Sequence, residues 1–202
     1  MAPRTLFGWG APGVAGAEEH GLPEDGGRLG MWLFLASLTM LFGAGLIGHL
    51  VIRLRLPAWP PEGSPALPTG LWLSTAILLV GDVVLVAALR AIQRDDLRAL
   101  RRLLSASFGL GLAFLLMQAG NWLALSDAVA ATGQNLFTFT YWALTVLHGL
   151  HVLGGLAPTL VAALRAPSGR YGSRNPHPVA NLVLYWHFLT VTWFAILAIL
   201  VL

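Results

Sequence analysis

The 202-residue chain has no cysteine and no lysine, and only 10% of it is charged. Without cysteine there is no disulfide, no thiolate metal ligand, no cysteine nucleophile and no covalently attached haem. Soluble domains typically carry about 25% charged residues, and so little charge cannot cover a water-facing surface of this size. Residues 1–29 lack the apolar core of a secretory signal and contain Glu18, Glu19, Glu24 and Asp25, so no cleavable leader is expected there. No internal repeat points to an inverted-repeat transporter.

What is present is apolar: 56% hydrophobic residues and a mean hydropathy of +0.72. They gather in five stretches, at 30–52, 70–89, 103–125, 138–164 and 179–202. Crossing a hydrocarbon core of about 30 Å takes roughly 20 helical residues, which each stretch supplies. Only helices or closed barrels satisfy their backbone in lipid, and barrel strands would alternate apolar and polar residues. These stretches do not alternate. The expected fold is all-α, a polytopic bundle of five transmembrane helices (residues 30–202) behind an N-terminal arm at 1–29.

The twelve basic residues are all arginine and lie unevenly. Ten sit in the N-terminal tail (Arg4, Arg28), the segment 90–102 (Arg90, Arg94, Arg98, Arg101, Arg102) and the segment 165–178 (Arg165, Arg170, Arg174). The opposite loops hold only Arg53 and Arg55. The positive-inside rule then predicts a cytoplasmic N-terminus and an external C-terminus, and it places Trp72, Trp122 and Trp142 together at the outer interface. The basic pI of about 10.2 reads as topology and lipid contact rather than nucleic-acid binding. Five prolines between 57 and 68 predict an extended, stiff outer loop over 53–69.

Polar residues inside the spans are candidates for function because they are expensive there. Three pairs fall at i, i+3 on one helix face: Gln118 with Asn121, His148 with His151, and His187 with Thr190. Asp82 is the one acidic residue inside a predicted span, and counting along the helices puts it within about 5 Å of the depth of His151 and His187. The histidines admit several readings: a metal shared by His148 and His151, a haem between His151 and His187, hydrogen bonding between helices by neutral rings, or lipid contact and proton handling. Asp82 either handles protons or pairs with His151 or His187 to fix the packing. His49 is expected near the outer interface, while His20 and His177 fall in cytoplasmic segments. Gly43, Gly45, Gly48, Gly149, Gly154 and Gly155 would let helices approach closely.

Three stretches carry a family resemblance: "RLGMWLFLAS" at 28–37, "HGLHVLGGL" at 148–156, and "YWHF" at 185–188 followed by Trp193. Over residues 28 to 202 the chain resembles subunit III of the haem-copper cytochrome c oxidases, in the short five-helix bacterial form. "QAGNW" at 118–122 is similar to the family's third-span pattern. The resemblance implies a subunit of a bacterial inner-membrane respiratory complex with no catalytic site and no cofactor or metal of its own. Haem and copper would lie in partner subunits I and II. It also implies packing against subunit I, bound phospholipid, support of proton uptake, and histidines that are not haem ligands. The pattern departs at Leu38, Asn121, Ala180 and Thr190, where the family carries carboxylates, and roles that need those acids do not carry over. A related complex, such as a subunit-III-like protein of nitric oxide reductases, stays open, as does a separate small membrane protein that binds haem or another ligand.

Overall fold

The computed structural model describes residues 24–166 and 176–201. They form five helices: α1 (Glu24–Arg55), α2 (Gly70–Gln93), α3 (Leu97–Thr132), α4 (Leu136–Arg165) and α5 (His177–Val201). Each is long and apolar enough to cross a membrane. The all-α, five-span expectation therefore holds.

The helices outrun the predicted spans, and the connections shrink accordingly. The segment 90–102 folds almost wholly into helix, leaving a link at 94–96. Asp95 turns the chain there with φ of +55°, and the Asp96 carboxylate accepts the Ala99 N–H at 2.9 Å to cap α3. At the other end of α3 the link is 133–135, with Gly133 at φ +86° and a reciprocal cap between Asn135 and Thr138 opening α4. α3 has 36 residues and so a length of about 54 Å, well beyond the hydrocarbon core. Capping decided these boundaries, and hydropathy does not register it. Of the predicted arm, residues 1–23 lie outside the described residues, and 24–29 are the start of α1.

α2 packs on α3, α3 on α4, α4 on α5, and α5 back on α2, which closes a four-helix ring. α1 stands outside this ring, seated on α5 and α4 without touching α2. Its inward row is Leu35, Leu38, Phe42 and His49, all buried, whereas Leu33, Met40, Ile47 and Leu54 point outward. α5 is buried along most of its length by Val179, Leu182, Trp186, Leu189, Trp193, Ile196 and Leu200. The loop 56–69 is non-helical, as its prolines require, and it folds back over the bundle. Trp59 wedges edge-on between His49 (centroids 5.0 Å) and Phe137 (5.4 Å), and Asn135 donates to the Ser64 hydroxyl at 2.8 Å. This loop marks one end of the molecule, the arginines of α2 and α3 the other.

Candidate functional site

Four cross-helix contacts share one chemistry. In each, a threonine hydroxyl donates to a carbonyl in the preceding turn of its own helix, which leaves a lone pair free for a ring N–H from a neighbouring helix. Thr75 donates to Leu71 and accepts from the Trp193 indole at 2.9 Å, tying α2 to α5. Thr145 donates to Tyr141 and accepts from Trp122 at 3.1 Å, tying α4 to α3. Thr159 donates to Gly155 and accepts from Trp186 at 3.1 Å, tying α4 to α5. Thr140 donates to Phe137 and accepts from His49 Nδ1 at 2.9 Å, tying α4 to α1. These threonines escape a sequence search because each partner lies 23 to 118 residues away in the chain. A threonine in an apolar run, with a tryptophan in another, is the one available signal.

The singled-out polar pairs behave differently. Asn121 Nδ2 donates to Gln118 Oε1 at 2.9 Å, so this pair bonds along α3 rather than across helices. Asn121 also packs tightly on Gly70, where α2 begins with no side chain in the way. His148 is wholly buried, and neither ring nitrogen has a hydrogen-bond partner among the described residues. Of the readings open to the histidines, a bond from His148 to a neighbouring helix is not made among the described residues. The ring is instead enclosed by Trp193 (centroids 5.1 Å), Phe114 (5.8 Å) and Phe42 (6.2 Å), with Phe114 edge-on at 81°. Such ring–ring contacts are weaker than a hydrogen bond but favourable in a dry core. Thr190 Oγ1 is likewise buried without a partner, and it does not bond His187.

His151 points elsewhere. A carbonyl can only accept, so Nδ1 donates to Leu147 O at 2.7 Å, and the ring packs on Phe42 at 5.0 Å. It borders a groove of about 340 Å³ between α1, α4 and α5, whose walls include Phe34, Gly154, Pro158, Asn181 and Tyr185. The Tyr185 hydroxyl donates to the His151 carbonyl at 2.8 Å, bracing one wall. Pro158 has no N–H to offer the Gly154 carbonyl, which leaves that acceptor without its helical partner beside the groove. His49, expected at an interface, is fully buried behind Trp59.

Asp82 pairs with His187 rather than His151: His187 Nδ1 and Asp82 Oδ2 are 2.6 Å apart. The Asp82 side chain is 13% exposed and that of His187 47%. Leu38, at the first of the departed acidic positions, is buried among apolar neighbours and needs no partner. Among the described residues, no three His, Cys, Asp or Glu side chains gather as a metal site.

Of the glycines, Gly45, Gly149 and Gly155 make the expected close approaches, to Leu144, Trp122 and Tyr185. Gly154 has only an ordinary contact at 3.8 Å. Among the described residues Gly43 and Gly48 meet nothing within 4 Å, which corrects their predicted packing role there. Gly70 and Gly111 were not anticipated; a Cβ on Gly111 would stand 2.7 Å from the Trp186 ring. Of the three tryptophans expected at one interface, Trp72 is 62% exposed, whereas Trp122 turns inward to its threonine and lies 6.2 Å from Trp142.

The family described as cytochrome c oxidase subunit III matches residues 14–201. The chain is 33% identical over 176 residues to a cytochrome c oxidase subunit 3 of Synechocystis sp., covering 86% of this chain and 74% of the relative. It is 31% identical over 193 residues to that of Thermostichus vulcanus, covering 93% of each, and 28% identical over 178 residues to that of Mus musculus, covering 84% and 67%. With these matches over nearly its whole length, the chain belongs to the cytochrome c oxidase subunit III family.

Proposed function

We propose that this protein is the non-catalytic subunit III of a haem-copper oxidase in aerobic electron transport. It sits in a bacterial cytoplasmic membrane with its N-terminus inside, beside subunits I and II that carry haem and copper. The ten-to-two division of arginines supports this orientation. Its tasks are to stabilise subunit I, hold phospholipid and support proton uptake.

The observation that carries the lipid role is the groove beside His151. Its walls are chiefly apolar, as an acyl chain requires, while Asn181 stands toward the arginine-bearing end, where a headgroup would lie. For proton uptake, Leu38, Asn121, Ala180 and Thr190 cannot ionise usefully, so Asp82 with His187 is the candidate pair within the spans.

Purification of the complex with and without this chain tests the reading. The haem spectrum should stay with the partner subunits, and the depleted complex should start turnover normally but lose activity faster. A Soret band on the isolated chain, or a depleted complex as durable as the intact one, would overturn it.

A further inference from the structure

α1 and α2 do not touch, and α5 forms the floor between them. On that floor His187 is held by Asp82 from the α2 side and borders, on the α1 side, a groove of about 350 Å³ with Trp32, Ala36, Thr39 and Val191. Residue 187 lies ten positions along α5 and residue 82 eleven positions from the end of α2. Both are therefore about 15 Å from the arginine-bearing end, near the middle of a hydrocarbon core of about 30 Å. A half-exposed imidazole at that depth would face acyl chains, which accept no hydrogen bond.

The chemistry of the outward nitrogen does not depend on where the shared proton sits. A net charge at mid-bilayer is costly, so the pair is favoured in one of two net-neutral states. In one, a carboxylate accepts from an imidazolium. In the other, a carboxylic acid donates to Nδ1 of a neutral imidazole. Nε2 carries a hydrogen in both. The groove thus offers one N–H donor in an apolar setting.

We infer that the groove between α1 and α5 is the face that docks a transmembrane helix of the haem-bearing subunit, and that this helix presents an uncharged hydrogen-bond acceptor at mid-bilayer to His187 Nε2. A serine, threonine, asparagine or glutamine, or a carbonyl freed by a proline, meets this requirement. A lysine or arginine there would meet another donor and is excluded. Ala36, Thr39 and Gly43 keep the α1 wall low, and among the described residues nothing lies within 4 Å of a Cβ built on Gly43. The inference rests on the proposed subunit III role and adds the docking face and the group that the partner must supply.

Because the chain has no cysteine, one introduced cysteine carries a photo-crosslinker to a single place. In membranes holding the whole complex, Ala36→Cys should crosslink to the haem-bearing subunit, and Leu116→Cys, on the exposed face of α3, should not. Two further variants separate docking from internal pairing. His187→Gln keeps a donor near Nε2, whereas His187→Asn keeps one near Nδ1 for Asp82. His187→Gln should co-purify with the haem-bearing subunit like the native chain, while His187→Asn should lose about 3- to 20-fold under raised detergent, the range for one hydrogen bond in lipid. Crosslinks from Leu116→Cys alone, or from Ala36→Cys only to lipid or a second copy, would overturn the docking face and leave the subunit III reading standing. The reverse order of the two histidine variants would make His187 a support for Asp82 only. Failure of the native chain to bring down any haem-bearing subunit would sink both readings.

Discussion

The ring of α2 to α5 and the outlying α1 solve the same problem in different ways. Within the ring, three indole N–H groups meet threonines already bonded to their own helix, and the polar groups that lack a partner there, such as His148 and Thr190, are shut inside the packing. Around α1 the surface is left unfinished: Leu33, Met40, Ile47 and Leu54 face out, Gly43 and Gly48 meet nothing, and His187 stands in an open groove. The ring is closed on itself. The α1 face is the one we infer to dock a partner, since among the described residues nothing closes over it.

The largest expected effect tests the closed side. Trp193→Ala removes a wholly buried ring that touches His148 and Phe114 and bonds Thr75, and it should cost about 3–5 kcal/mol in a detergent unfolding titration. Next, Gly155→Ala would put a Cβ 2.7 Å from the Tyr185 ring, for a loss of about 1–3 kcal/mol. The matched change Gly43→Ala, into open space, should leave the isolated chain unaffected by the same assay. Equal losses at the two glycines would erase the contrast between the ring and α1.

Smaller effects sharpen it. Thr75→Val keeps the shape but removes the acceptor, and should cost about 0.6 kcal/mol, the usual worth of such a bond in a membrane. Asp82→Asn retains a side chain able to bond His187, and assembly should suffer less than with Asp82→Leu, as read by co-purification of the complex. His148→Leu, although it removes a wholly buried polar ring, should change stability by less than about 1.5 kcal/mol, because no hydrogen bond is broken when the ring goes. A collapse of the fold in that variant would show that a ring nitrogen has a partner after all.

Hydropathy made the five spans visible, and "HGLH" with "YWHF" pointed to the family, because both are properties of contiguous sequence. Asp82 also stood out, since a carboxylate in an apolar run is anomalous whatever surrounds it. Its choice of His187 over His151 was not readable: equal depth does not say which face of the bundle a side chain shares. His148 misled for a related reason. Polarity implies a need for a partner, but three aromatic rings drawn from three other helices enclose it instead.

The sequence by itself therefore determined how many helices there are, how far into each apolar run the polar residues lie, and the arginine bias that a membrane would sort. These follow from transfer into lipid, which acts on each segment separately. Tertiary structure alone decided which threonines meet tryptophans, that Gly70 and Gly111 admit a neighbour while Gly43 and Gly48 meet none, and that α1 stays outside the ring. Helices already inserted in lipid gain nothing from burying apolar surface, so their arrangement is set by shape and by a few directional bonds, and both depend on residues distant in the chain.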